Sequence, residues 1–278
     1  MRISAAGCSD TGRVRKHNED AIVLCEPPDQ AKLSELGRLY LLADGAGGHA
    51  AGEIASRMAV ETISTVYYDQ ADFSESVEDV LQSQGEVTHL AGPSGDLEIP
   101  LVSLLRGFAT THRRIRELAA LKPAYFGMAT TCLAAVMKGS RLLIAHVGDS
   151  RAYLIHGSAD PQPVVTHLTS DHSMAVELMR AGIISAEQVQ RTSHRHVLTR
   201  ALGGREERSP RPDITTCLVQ PGDSVVLCCD GLWSMLTEEQ IAMVVCRNSP
   251  QQACNELIRL ANEAGGEDNI SAIILSFR

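Results

Sequence analysis

Four strand-like runs in close succession limit the fold of this chain more than any other feature. Ala129 to Met137, Arg141 to Val147, Arg151 to Ile155 and Val164 to Leu168 are separated only by short turns. Lys138-Gly139-Ser140, between the first two, is a hairpin signal. Further runs at Arg2 to Ser9, Ala21 to Cys25, Arg38 to Ala43, Ile214 to Val219, Ser224 to Cys229 and Ile270 to Phe277 bring the total to about ten strands. Helical spacing appears at Glu53 to Tyr68, Ser103 to Leu121 and His172 to Gly182. Capping boxes open further helices at Ser185, Thr237 and Ser249, the last with Pro250 at its first position. The helices are grouped between runs of strands and do not alternate with them one for one. That order favours an antiparallel α+β architecture over a doubly wound parallel sheet. No repeat or linker divides residues 1–278, so a single domain is expected.

Composition narrows the function classes. The net charge is −9, yet nine acidic residues and no Lys or Arg lie between Met58 and Leu105. Without them, acids and bases balance at 25 each, so no basic stripe for nucleic acid exists. Asp69 to Pro100, within that segment, reads as an acidic, solvated surface excursion. No run approaches the ~20 apolar residues that span a bilayer, and Met1 to Asp10 has no apolar segment of a signal peptide. The eight cysteines form no CxxC pair, which fits reduced thiols in a cytoplasmic protein with no membrane partner.

The chemistry concentrates in carboxylates at strand ends. Asp44 ends YLLAD, Asp149 follows IAHVG and Asp230 ends VVLCCD, whereas Asp20 and Asp268 stand just before strands. Taken singly, each is ordinary turn chemistry. Five such acids on one rim of a sheet raise one another's cost of ionising, and cations relieve it. An all-oxygen donor set points to Mg²⁺ or Mn²⁺ and away from zinc. The glycines after Asp44 also satisfy GxGxxA (Gly45 to Ala50) between a strand and a helix, a dinucleotide signature. Asp44 would then sit beside a pyrophosphate, and no strand–helix alternation follows, so that reading is set aside.

Eight motifs, in order along the whole chain, resemble the metal-dependent PPM, or 2C-type, protein serine/threonine phosphatases in their bacterial form. They begin with Gly12-Arg-Val-Arg-Lys-His-Asn-Glu-Asp20, then Ala43-Asp-Gly-Ala-Gly-Gly-His49 with Gly52-Glu53, and Gly127-Met-Ala-Thr-Thr131. His146-Val-Gly-Asp-Ser-Arg-Ala-Tyr153, Leu168-Thr-Ser-Asp-His172 and Val197-Leu-Thr-Arg-Ala-Leu-Gly203 follow. Cys229-Asp-Gly-Leu-Trp233 and Glu267-Asp-Asn-Ile270 complete the set.

The resemblance implies a sandwich of two antiparallel β-sheets flanked by helices on both outer faces. It also implies a binuclear Mn²⁺ or Mg²⁺ centre. Asp44 would bridge the metals, joined by the Gly45 carbonyl. Asp230 and Asp268 would ligate one ion, Asp20 would act through bound water, and Asp149 with Asp230 would hold a third ion. Arg15 matches the residue that grips the substrate phosphate. The implied reaction is attack of a metal-bridging hydroxide on phosphoserine or phosphothreonine. The implied partner is a phosphorylated protein, a Ser/Thr kinase or its target, and a monomer is expected.

One position departs from the family pattern. Ala46 stands where a His or Met is usual, and that His is the assigned general acid in some members. His49 is the remaining candidate acid, its alternative role being a cap on the following helix. Two rival functions remain: hydrolysis of a small phosphoester at the same centre, and a catalytically weak module that binds phosphoproteins. His172 to Leu202 resembles the bacterial flap beside the metal centre, with Met174, Leu178 and Met179 expected to pack its helix. His194 and His196 could reach the third metal but read rather as exposed, solvated loop residues, His146 reads as a satisfied interior histidine, and Cys228 and Cys229 as small buried residues.

Overall fold

Twelve strands pair into two antiparallel sheets in the computed structural model, which describes residues 1–27, 29–46, 50–69, 95–157, 163–189, 191–205 and 209–278. The smaller sheet has the order β1 (Ile3–Asp10), β12 (Ile270–Phe277), β11 (Ser224–Cys228), β7 (Arg151–His156), β8 (Val164–His167). The larger runs β10 (Asp213–Leu218), β6 (Arg141–Val147), β5 (Cys132–Lys138), β3 (Arg38–Ala46), β4 (Ala129–Thr130), β9 (Leu202–Gly203), with β2 (Asp20–Cys25) also paired to β3. The predicted β5–β6 hairpin forms, with Gly139 at φ 63°. The run after it does not extend the same sheet. Between β6 and β7 the chain crosses to the smaller sheet through Gly148-Asp149-Ser150, with Gly148 at φ 108°.

Period-2 alternation builds three apolar layers. Along β3, Leu39, Leu41 and Ala43 face helix α2 (Ala50–Tyr68) and the later helix α3 (Glu98–Leu121), packing on Ala55, Ala59, Ile63, Phe108 and Ile115. The alternate residues Tyr40 and Leu42 face the other sheet, against Leu154, Leu227 and Ile273. On the far side Val226, Ala272 and Ile274 pack on α6 (Asp230–Trp233), α7 (Glu238–Arg247) and α8 (Pro250–Glu263) through Leu232, Ile241 and Leu257. Both sheets are therefore buried on both faces, which is why their strands read as nearly continuous apolar runs.

Three boundaries differ from expectation. The helix placed at Ser103 begins at Glu98, because Pro100 falls in the first turn, where its missing N–H leaves no bond unmade. The run from Ala129 breaks at Thr131 into β4 and β5. Helix α1 (Gln30–Leu36), capped by Asp29, carries only one buried residue, Leu36, so it showed no apolar period. Most of the acidic excursion, residues 70–94, lies outside the described residues, as does His49. Among the described residues no helix is long and apolar enough to cross a membrane.

Candidate metal centre

Strand register, not loop geometry, brings the first two carboxylates together. β2 and β3 pair antiparallel with Asp20 directly opposite Asp44, so both side chains leave the same face about 5 Å apart at Cβ. Their ligand atoms, with the Cys229 sulfur, lie within 4.8 Å of one another. Asp44 is then fixed through its backbone: its N–H donates to Thr131 Oγ1 at 3.0 Å, and its carbonyl accepts from Thr131 N and Thr130 Oγ1, each at 2.8 Å. Gly45 follows where no larger residue fits. A Cβ there would stand 2.3 Å from the Gly52 carbonyl and 2.6 Å from that of Glu19. The glycine is thus required by close backbone approach as well as by access to its own carbonyl.

Asp149 arrives on the crossover between sheets, and Asp230 opens α6 at the end of β11. Asp268 comes from the turn before β12, held by Asn269, whose Oδ1 accepts from Glu19 N at 2.8 Å. The Asn269 amide nitrogen donates to the Thr11 and His17 carbonyls at 2.9 Å. Gly231 lets α6 press onto that turn, since a Cβ would meet the Asn269 carbonyl at 2.0 Å. Asp44, Asp149, Asp230 and Asp268 line one cavity of about 460 Å³ with Arg15 and the Gly45 backbone, while Asp20 stands behind Asp44 and does not line it. A larger groove of about 650 Å³ between α7 and α8 gathers no such set. Its Arg259 is already paired with Glu256 and Glu263.

The electrostatics of the cluster ask for cations. Both Asp20 carboxylate oxygens are buried without a hydrogen-bond partner. Burial pushes the Asp20 carboxyl up to about 7; the nearby Ser271 hydroxyl and Cys229 thiol, neither aimed well enough for a full hydrogen bond, hold it back, while Asp230 and Asp268 add to the rise. Burial and the charges of Asp20, Asp230, Asp149 and Asp268 push Asp44 well above the ordinary carboxylate range. Asp149, 3% exposed, is raised by burial and then by Asp230. Carboxylates in these surroundings are stabilised as anions by hard divalent ions, and the donor set is the one Mg²⁺ and Mn²⁺ accept. The chain's residues fit such a centre.

Arg15 is 53% exposed, and its Nη2 lies 2.6 Å from Asp268 Oδ2 at the cavity edge. Ala46 lines the same cavity, so the departure from the family pattern falls at the site itself. Several lining residues were missed as site members, Glu19 and His196 among them. Glu19 lines the cavity and follows directly from its place beside Asp20. His196 is exposed, as expected, yet also lines the cavity, with Nδ1 3.4 Å from Asp230 Oδ2. Nothing in its local sequence says that a short 3₁₀ turn at Ser193–His196 sets it at the cavity edge.

A second His/Asp group, His146, His172 and Asp213, lies behind the flap. The two rings are nearly parallel, 8° apart at 4.7 Å, so their in-plane lone pairs do not converge on one ion. The group instead anchors the flap. His172 Nδ1 accepts from Gly148 N–H at 3.1 Å, its Nε2 faces Asp213 at 3.1 Å, and Asp213 takes Arg200 at 2.7 Å. His146 is buried with Nε2 on the Ser170 carbonyl, but its Nδ1 has no partner, so it is only half satisfied. The flap carries helix α4 (Met174–Arg180) and the short α5 (Ala186–Val189); in α4 the buried residues are Ala175 and Val176, while Met174 is exposed. Cys228 and Cys229 are fully buried, as expected.

A two-sheet sandwich with carboxylates converging at one end defines a class of metal-dependent phosphoester hydrolase, and comparison with known proteins agrees. The protein phosphatase 2C family description matches residues 4–270. The serine/threonine phosphatase stp of Listeria innocua is 32% identical over 96% of this chain and 93% of its own length. Protein phosphatase PhpP of Streptococcus pneumoniae is 31% identical over 96% and 95%. Among solved structures, the S. agalactiae serine/threonine phosphatase superposes with a TM-score of 0.78 at 30% identity, covering 100% of both chains. The PstP catalytic domain solved with two manganese ions gives 0.71 at 29%, covering 99% and 97%. The chain belongs to the protein phosphatase 2C family.

Proposed function

We propose that this chain is one catalytic domain, a monomer of the cytoplasm, that hydrolyses phosphoserine and phosphothreonine in proteins, reversing a Ser/Thr kinase. Asp44, the Gly45 carbonyl, Asp230 and Asp268 would hold two divalent cations, Mn²⁺ or Mg²⁺, with Asp20 behind them. Asp149 and Asp230 would hold a third. When bound, the cations supply an activated water and positive charge for the phosphoryl oxygens. Arg15 presents a guanidinium at the cavity edge, suited to paired hydrogen bonds with a phosphate. Asn269 and Gly231 keep Asp268 and Asp230 in register with Asp20. Ala46 offers no proton to the leaving oxygen, and His49 is a candidate donor by its place in the sequence.

The observation that carries this reading is the Asp20–Asp44 register pair, with Asp20 buried behind a cavity that Asp44 lines together with Asp149, Asp230 and Asp268. The family relatives named as serine/threonine phosphatases support it. Substrate class is tested by comparing kcat/KM on a panel of phosphorylated proteins and peptides with that on small metabolite phosphates and nucleotides. Preference for phosphoproteins is expected. Higher kcat/KM on a small phosphoester would replace the protein substrate in this proposal.

A further inference from the structure

Trp233 is the only tryptophan of the chain, and it stands three residues after Asp230 on α6. Its ring is 8% exposed, and Nε1 donates to the main-chain carbonyl of Asp149 at 3.0 Å. The Arg151 guanidinium lies 3.7 Å from the ring centroid. Arg151 is itself held by Asp171 through two hydrogen bonds, Nε to Oδ1 at 2.9 Å and Nη2 to Oδ2 at 2.7 Å. These contacts meet where the sheet stops. The β7–β11 ladder ends with Arg151 opposite Cys228, two residues short of both Asp149 and Asp230. Beyond it the strands part, one toward β6 and the other into α6, and the indole hydrogen bond spans the gap between the two carboxylate-bearing segments.

Packing alone would not require this arrangement. A buried indole needs some acceptor for its N–H, but the one used here is the backbone of a site carboxylate, and the ring is fixed by a cation it cannot leave without exposing a buried ion pair. We propose that Trp233 is a positioning residue that sets the spacing of Asp149 and Asp230 for the divalent cation they share. Its indole fluorescence then reports the filling of that site. The inference rests on the reading that these two carboxylates hold a cation, and it adds the side chain that keeps them in place.

The test is calorimetric titration of the full chain with Mn²⁺ in wild type, Trp233→Phe and Asp149→Ala, with tryptophan emission followed in wild type and Asp149→Ala. Phe keeps a ring and removes the donor. Asp149→Ala is expected to lose the weakest binding event. Trp233→Phe should weaken that event by roughly 10- to 100-fold and leave the tighter ones unchanged, the usual effect of removing a residue that orients a ligand. Paramagnetic Mn²⁺ should quench wild-type emission in step with the weakest event, and this quenching should vanish in Asp149→Ala. If Asp149→Ala loses an event while Trp233→Phe keeps wild-type affinities, the positioning role is wrong and the cation site stands. If Asp149→Ala titrates like wild type, the cation reading fails and the inference with it. Should Trp233→Phe not fold, the emission pair decides: equal quenching in wild type and Asp149→Ala overturns the proposal.

Discussion

Asp20 and Asp44 are neighbours because two strands pair in one register, and that register sets their titration in the metal-free protein. With a folded-state value near 7 for Asp20 and an ordinary value near 4 in the unfolded chain, the folded state binds more protons between them. Asp44, shifted in the same direction, acts alike. Stability without metal therefore falls as pH rises from about 4 to about 7 on account of these groups. Saturating Mg²⁺ or Mn²⁺ should remove that slope. Thermal unfolding in EDTA and in excess Mg²⁺ across this range checks it; a melting temperature with the same pH dependence in both would contradict the account. At Ala46, the expected signature is kinetic. An alkoxide needs a proton more than a phenolate does, so kcat should be more depressed on a phosphothreonine peptide than on an aryl phosphate. Matching pH–rate profiles for the two substrates would show that a proton donor is present after all.

Elements marked by local rules were legible, and those set by distant partners were not. The helix starts at Thr237 and Ser249 form as read, the first with both bonds of a capping box and the second with Gln252 folded back on Ser249, because four residues suffice to specify them. Replacing Thr237 by Ala should cost about 1 kcal/mol of stability, visible in urea unfolding, without altering activity. The order of strand runs pointed to an antiparallel α+β fold, the two-sheet layering was implied by the family resemblance, and β12 was read at both ends. The crossing from β6 to β7 was not visible in sequence. Arg151 to Ile155 looks like one more hairpin partner, and only the burial of both sheets' inner faces sends it to the other layer. The five carboxylates were found because each marks a strand end. Their order in space, with Asp20 behind Asp44 and Glu19 in the lining, depends on a ladder register that sequence does not print. His196 was missed because its placement is made by the flap closing on itself, through Ser173 against Leu198 and Thr199 N–H to the His172 carbonyl.

For the whole molecule, the two sheets deliver carboxylates to one cavity from opposite layers: Asp44 from the larger, with Asp20 behind it, Asp230 and Asp268 from the smaller, and Asp149 from the chain between them. The core between the layers therefore fixes the spacing of these carboxylates as well as the stability of the fold. The most direct test is phosphate release from a phosphothreonine peptide with Mn²⁺, in wild type, Asp44→Ala and Asp230→Ala, before and after EDTA. If these carboxylates hold the cations as proposed, losing either removes several kcal/mol of charge stabilisation, so each variant should fall on the order of 10³-fold. EDTA should abolish wild-type turnover, and added Mn²⁺ should restore it. Turnover that survives EDTA, or that persists at wild-type rate in both variants, would contradict the assignment of these carboxylates as the metal centre of the phosphatase.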